Sequence, residues 1–288
     1  MYDLHCHSHC SDGALSPIQL VRRAVTNGIT RLAITDHDTY AGFLELQDLP
    51  SSIDENINFF VIPGIELSVN WQGDNLHLLV LDFDPNSKTM KNLVEDQQHR
   101  RKQRADIISQ RLEKRLHLQN LLLKAKQYSG SKIPSRPDFA QVLVDEGKTK
   151  DLKAAFANHL GRGTQGDVKQ MWPDLTSVVE QVSTVGGLAV LAHPESYKYT
   201  RAKLRRCLLD LKLAGGKGVE LVQPQLPLTK RDQVVSLASE LNLHLSCGSD
   251  FHSATQAWRV LGRVPPMPSE ARPIWELFSG NYDIGMSL

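Results

Sequence analysis

The sequence predicts an α/β fold: a mainly parallel sheet covered by helices, closed into a (βα) barrel and interrupted by a small helical insertion. Three observations predict it. Short apolar runs alternate with stretches of helical spacing, the rhythm of strand–helix units whose helices cover a buried parallel sheet. No GxGxxG follows the first strand, which removes the main support for an open, doubly wound dinucleotide-binding sheet. His37, Glu66, His193, Asp250 and His252 sit at or just past the carboxyl ends of strands; in a barrel those ends converge on one rim, where sites are built.

Tyr2 to His7 reads as the first strand. Its alternation turns His5 and His7 to one side and Cys6 to the other, and Asp12 follows at the Asp12-Gly13 turn. Ser16-Pro17 starts a helix, an N-cap residue followed by proline at the first helical position. Leu20, Val21, Ala24 and Val25 form its apolar stripe, and Asn27-Gly28 ends it. Leu32-Ala33-Ile34 is a buried strand running into Asp36-His37-Asp38. Phe59 to Ile62 is a strand leading to Pro63-Gly64-Ile65-Glu66, and Leu76 to Phe83 is another, containing His77.

The middle differs. Arg100, Arg101, Lys102, Arg104, Arg111, Lys114 and Arg115 stand against only Asp106 and Glu113, and Ile107, Ile108, Leu112 and Leu116 give helical spacing. This predicts a long helix with one basic face, for which a solvated surface is the ordinary reading. From Leu118 to Asp167 the pattern is helical but broken by Ser129-Gly130, Pro134, Pro137 and Gly161-Arg162-Gly163. The reading is a barrel over 1–104 and 171–288 with a helical insertion over 105–170. The βα rhythm then resumes. A helix over 175–185 leads to a strand over 188–192 ending in His193-Pro194. A helix over 203–214 leads to a strand over 219–222. A helix over 230–241 leads to a strand over 243–247 ending in Gly248-Ser249-Asp250-Phe251-His252.

With 288 residues, 41% of them hydrophobic, the chain can bury one sizeable core. A formal net charge of +1 gives no global case for binding nucleic acid or membranes, so any basic function must be local. No apolar run approaches the roughly 20 residues that span a bilayer, and the amino terminus lacks a signal pattern. Cys6, Cys10, Cys207 and Cys247 form no CxxC pair. The expectation is a soluble, cytoplasmic protein.

Taken singly, each strand-end histidine has an ordinary explanation as a loop or core residue. Taken together, His5, His7, Asp12, His37, Glu66, His77, His193, Asp250 and His252 are nine potential metal ligands. They are too many for one tetrahedral site, and a structural zinc site favours paired thiolates. A mixed histidine–carboxylate set of this size suits two or three catalytic divalent ions. His9, His99, His117, His159 and His244 are read as outside it.

The blocks DLHCHSHCSDG, AITDHDT, IPGIELS, HLLVLDFD, LAHP and GSDFH resemble, in order, the motifs of the PHP (polymerase and histidinol phosphatase) family of metal-dependent phosphoesterases. The resemblance implies a distorted seven-stranded (βα) barrel with a trinuclear metal centre. It places His5, His7, Glu66 and Asp250 on one ion, and Asp12, His37 and His252 on the second. Glu66 bridges to a third ion held by His77 and His193. Asp36, beside His37, is a candidate to orient a ligand. Histidine–carboxylate ligation admits manganese, iron or zinc, and manganese is the ion expected.

Arg100 to Lys114, Ser135 to Lys148 and Asn158 to Gly163 resemble the insertion of a subgroup comprising 5′-to-3′ exoribonucleases and 3′,5′-nucleoside bisphosphate phosphatases. The chain departs from its pattern at Asp138, where a histidine is usual, and at Pro194-Glu195-Ser196, which lacks a common arginine. The resemblance implies hydrolysis of the 3′-phosphate linkage of 5′-phosphorylated nucleotides and short 5′-phosphorylated RNA, including ribosomal RNA 5′ ends. A metal-bound hydroxide attacks phosphorus in this expectation, and no general acid is named. Arg104, Arg136 and Arg162 are candidates to bind the substrate's other phosphate. No membrane and no stable protein partner is expected. A histidinol-phosphate or other small-molecule phosphatase shares the metal motifs, though not the basic insertion. A non-catalytic, metal-binding regulatory module is the non-enzymatic alternative.

Overall fold

The computed structural model describes residues 1–47, 59–129, 132–168, 171–222, 228–256 and 258–280. Gly130 and the last two residues of the 105–170 span lie outside the described residues. The chain divides into two compact units, one of residues 1–94 with 173–288 and one of residues 95–172.

The first unit is built on seven strands: β1 (Tyr2–Cys6), β2 (Arg31–Ile34), β3 (Phe60–Trp71), β4 (Asp74–Leu81), β5 (Leu188–Leu191), β6 (Gly218–Leu221) and β7 (His244–Cys247). They lie side by side in chain order. β1–β2–β3 and β5–β6–β7 are parallel, whereas β4 is antiparallel to both its neighbours. The two ends of the sheet meet just past β1 and β7. Asp250 N–H donates to His5 O at 2.8 Å, and His7 N–H donates to Phe251 O at 2.9 Å. The result is the distorted seven-stranded barrel expected.

Two strands differ from expectation. β3 runs on through Pro63 to Trp71, because Glu66 to Trp71 continue as a hairpin with β4 across Gln72-Gly73, both at positive φ. A proline costs a strand only its own N–H; the Pro63 carbonyl still accepts from Asp82 N–H at 2.9 Å. β1 also carries a register shift: Asp3 pairs with Leu32 but Cys6 with Ile34, so β1 has one extra residue. Such a bulge re-aims side chains. Here Leu4 joins an inner apolar cluster with Ala33, Ile62, Leu79 and Val190, while His5 is also buried among the rim donors.

Helices cover the outer face. α1 (Pro17–Thr26) starts as its sequence requires: Ser16 Oγ accepts from Gln19 N–H, and Gln19 Oε1 accepts from Ser16 N–H at 2.9 Å. It packs Leu20, Val21 and Ala24 with Cys6, Ile34 and Phe251. α2 (Ala41–Gln47) follows. Later in the chain come α7 (Leu175–Thr184), α8 (Arg201–Leu213) and α9 (Leu228–Glu240), with α7 capped by Asp174 and α8 by Thr200. Leu78 and Val80 on β4 share a cluster with Val178 and Val182 of α7 and Leu208 of α8.

The long helix α3 (Lys88–Leu116) extends well upstream of the basic run. The second unit, residues 95–172, contains the rest of α3 with α4 (Leu121–Ser129), α5 (Arg136–Asp145) and α6 (Leu152–Ala155), the last continuing as a π-helical turn to Leu160. Its own core gathers Ile108, Leu112, Leu121, Phe139, Leu143 and Leu160. Asp138 acts locally, its carboxylate accepting from Ser135 N–H and Oγ–H, at 2.7 and 2.9 Å, at the start of α5. Among the described residues, no helix is long and apolar enough to cross a membrane.

Candidate metal centre

The nine donors named from the sequence come together in the first unit, at one rim of the barrel. Strand parity explains most of the convergence. Glu66 follows Ile62 at even spacing on β3, and His77 precedes Leu79 on β4, so both share the inward face. His77 lies in the first half of its strand because β4 runs antiparallel, which puts its start level with the carboxyl ends of its neighbours. His37 bridges to Glu66 just past β2.

Glu66 is the hub, 1% exposed. Its Oε1 lies 2.8 Å from His77 Nδ1, 2.9 Å from His193 Nε2 and 3.5 Å from His5 Nε2. Its Oε2 lies 2.8 Å from His37 Nδ1 and 3.3 Å from His7 Nε2. Asp250 Oδ1 stands 3.5 Å from His5 Nε2, 3.3 Å from His7 Nε2 and 3.4 Å from His252 Nδ1. Asp12 faces His7 at 3.7 Å, His37 at 3.7 Å and His252 at 3.4 Å. Three overlapping groups have ligand atoms close enough to share an ion: His7, Asp12, His37 and His252; His5, His7 and Asp250; His37, Glu66 and His77. His193 joins the last through His77 Nδ1, 3.2 Å from its Nε2.

Holding these groups together is electrostatically demanding, and their acidities diverge. Burial lowers His5, but Glu220, Glu66 and Asp250 more than offset it and raise its pKa well above the usual value. Burial and then the neighbouring His252 push His7 down to about 3. His252 rises to about 9, since Asp12 and Asp250 outweigh its burial. Glu66 is held well below the carboxylate range by His77, His37 and His5 in spite of burial, and Asp12 by His37 and His252.

A divalent cation fits this donor set. Glu66 Oε2 is buried and has no hydrogen-bond partner, although two imidazole nitrogens approach it. A buried carboxylate oxygen left so is costly, and lone pairs converging from imidazoles and carboxylates are what a metal ion requires.

Residues that the sequence reading missed orient the donors. Glu220, on β6 and fully buried, accepts from His5 Nδ1–H at 2.9 and 3.0 Å and from His193 N–H at 2.9 Å. A carboxylate at Nδ1 fixes the proton there and leaves the His5 Nε2 lone pair facing the cluster. The only hint in the sequence is a glutamate inside a short apolar strand. Arg259 donates to Asp250 Oδ2 at 2.7 Å. Ser196, at the position where the arginine is missing, meets His193 Nδ1 at 3.0 Å. His193 and Asp250 both have positive φ, 30° and 49°, a strained conformation that surrounding structure must hold.

Asp36 does not touch the donors' ring nitrogens. Its buried carboxylate accepts from Ser8 N–H, Ser8 Oγ–H and Ser11 Oγ–H at 2.7, 2.6 and 2.6 Å, fixing the turn that presents Asp12. Cys6 faces away, its thiol directed at Ala33 O. Glu195 carries two buried carboxylate oxygens with no hydrogen-bond partner, and burial raises it to about 7.

Arg104, Arg136 and Arg162 belong to the second unit. Within it, Arg101 and Arg104 lie over the Trp172 ring, 5.8 and 5.5 Å from its centre. Burial lowers the pKa of Arg136, with Asp167 and Arg101 as its charged neighbours. Arg101, read from the sequence only as part of the basic run, is a further member of this group.

Known proteins resemble this chain in sequence and in fold. The chain is 36% identical over 277 residues to a 5′-3′ exoribonuclease of Haemophilus influenzae, covering 96% of this chain and 98% of the relative. It is 32% identical to a 3′,5′-nucleoside bisphosphate phosphatase of Chromobacterium violaceum, covering 95% and 94%. A solved structure of an amidohydrolase from Chromobacterium violaceum, with sulfate bound, superposes with a TM-score of 0.84 at 32% identity, covering 96% and 95%. The family profile described as PHP domain matches residues 3–157, the stretch that supplies six of the nine rim donors. On this match and on relatives similar over nearly their whole length, the chain belongs to the PHP domain family.

Proposed function

We propose that this chain is a metal-dependent phosphoesterase acting on 5′-phosphorylated nucleotides. It removes the 3′-phosphate of 3′,5′-nucleoside bisphosphates and degrades 5′-monophosphorylated RNA from its 5′ end. One observation carries the reading: five imidazoles, of His5, His7, His37, His77 and His193, converge on the buried Glu66 carboxylate, one of whose oxygens has no hydrogen-bond partner, with Asp12, Asp250 and His252 beside them. The relatives named for nucleotide and RNA hydrolysis supply the substrate class.

His5, His7, Glu66 and Asp250 would hold one divalent ion, Asp12, His37 and His252 a second, and His77 and His193 with Glu66 a third. When bound, such ions lower the pKa of a coordinated water and neutralise charge on phosphoryl oxygens. The chain's own residues do the rest. Glu220 fixes the His5 tautomer and the position of the His193 backbone, Ser196 orients the His193 ring, and Arg259 steadies Asp250. Asp36 sets the turn that carries Asp12. Arg104, Arg136 and Arg162 would bind the substrate's 5′-phosphate, guanidinium forks matching phosphate oxygens. The same site serves both activities: with the 5′-phosphate anchored, the phosphorus on the 3′ oxygen is attacked whether it is terminal or joined to the next nucleotide. Manganese is the metal we assign, and elemental analysis of the isolated protein checks it.

The test is purified protein with manganese, offered 3′,5′-adenosine bisphosphate, 5′-phosphorylated RNA and histidinol phosphate. Hydrolysis of the first two is expected. Turnover of histidinol phosphate alone would overturn the reading, and metal binding without any hydrolysis would establish a regulatory module instead.

A further inference from the structure

Among the described residues, one more group of unlike donors converges outside the centre around Glu66. His9 and Cys10 follow β1, and Glu45 lies on α2. His9 Nε2 stands 3.0 Å, and Cys10 Sγ 3.3 Å, from the same oxygen, Glu45 Oε2. The three donor atoms all lie within 4.8 Å of one another. We propose that His9, Cys10 and Glu45 form a second, surface metal site for a zinc-class divalent cation, separate from the centre around Glu66.

The chemistry of the set favours that class. Imidazole, thiolate and carboxylate are the three zinc ligands of proteins, and three protein donors with an open fourth position form a familiar zinc arrangement. A soft sulfur among them disfavours magnesium and calcium, which take oxygen ligands. His9 and Glu45 are about half exposed, their side chains 49% and 47% accessible, so water can complete the coordination. The site is also held in place. Cys10 N–H donates to Ser8 Oγ at 3.1 Å, and Ser8 Oγ–H in turn donates to the buried Asp36 carboxylate at 2.6 Å. Two adjacent donors on an anchored turn therefore face a third on a helix. A bound ion replaces the Cys10 thiol proton, which is released to solvent.

Sulfur separates this site from the catalytic one. The nine donors around Glu66 are all nitrogen or oxygen, and Cys6, Cys207 and Cys247 are buried. Cobalt(II), a spectroscopic substitute for zinc, gives a near-ultraviolet sulfur-to-metal charge-transfer band only when a thiolate binds it. The experiment titrates cobalt into the full chain and into Cys10→Ser, His9→Ala and Glu45→Gln. It also counts zinc per chain by equilibrium dialysis and elemental analysis, with circular dichroism checking each variant's fold. The expected result is a band in the wild type that is lost in Cys10→Ser and weakened in His9→Ala and Glu45→Gln, with one zinc fewer per chain in Cys10→Ser. Three results would overturn the proposal: no band at saturation, a band that persists in Cys10→Ser, or a band indifferent to both His9→Ala and Glu45→Gln. The readout does not depend on turnover, so it stands or falls separately from the proposed hydrolase activity.

Discussion

Replacing Glu220 by alanine tests whether a buried residue outside the nine donors governs the centre. Glu220 is fully buried and accepts from His5 Nδ1–H and the His193 backbone N–H, all within 3.0 Å. Without it, two buried donors lose their acceptor, costing about 1–3 kcal/mol each in stability. His5 also loses the partner that keeps its Nε2 lone pair aimed at Glu66 and Asp250. Removing such an outer partner costs about 10–100-fold in metal affinity or activity, or about 1.4–2.8 kcal/mol at 1.4 kcal/mol per tenfold. Glu220→Gln keeps one acceptor oxygen but turns an amide NH2 toward the other donor, so it should fall between wild type and Glu220→Ala. The assay is metal affinity by equilibrium dialysis, beside turnover of 3′,5′-adenosine bisphosphate and the melting temperature. A lowered melting temperature with unchanged metal affinity would show that Glu220 serves packing alone, and would refute the argument.

Other expectations follow from the same geometry. Asp12→Ala and His193→Ala should abolish phosphoester hydrolysis while circular dichroism shows a folded chain; retained turnover would refute their placement at the metals. Chelation should remove activity and lower the melting temperature, since an ion at 100 times its dissociation constant stabilises by about 2.7 kcal/mol; re-addition of manganese should restore both. Gly248→Ala should cost both stability and metal affinity, because the new Cβ would stand 2.3 Å from His5 Cβ and 2.8 Å from Glu220 Oε1; a melt and a metal titration read it. Arg136→Ala, or either of the other two candidate arginine changes, should raise KM for 3′,5′-adenosine bisphosphate roughly tenfold or more, the loss of a charge-assisted hydrogen bond of about 1.5–3 kcal/mol. An unchanged KM in all three would remove the arginines from the substrate site.

The barrel and its donors were legible because they leave periodic marks. Apolar strands punctuated by helices reveal a βα rhythm, and histidines or carboxylates within or just past most strands mark the rim. The direction of β4 left no mark, since an apolar run reads alike in either sense; only its pairing with β3 and β5 shows why His77 lies in the first half of its strand. Pro63 looked like punctuation and is instead an internal residue of a twelve-residue strand. Glu220 was invisible for a related reason: whether a glutamate in a strand faces solvent or two donors depends on its neighbours across the sheet. Asp138 and Ser196 registered as departures from a pattern, and each makes local hydrogen bonds that one-dimensional reading does not show.

The closure of the barrel has a consequence for how the protein is made. His5 meets Glu220, 215 residues further along the chain, and its backbone is locked to that of Asp250. At about 5–20 residues per second, synthesis of that intervening length takes about 10–40 s. During that interval the nascent chain already displays His5 and His7 but lacks the last strand that seals them in. An early ion would meet an incomplete donor set, without Asp250 and His252, on an open edge. The complete nine-donor set therefore belongs to the finished chain, and the sealing of the first strand against the last completes it.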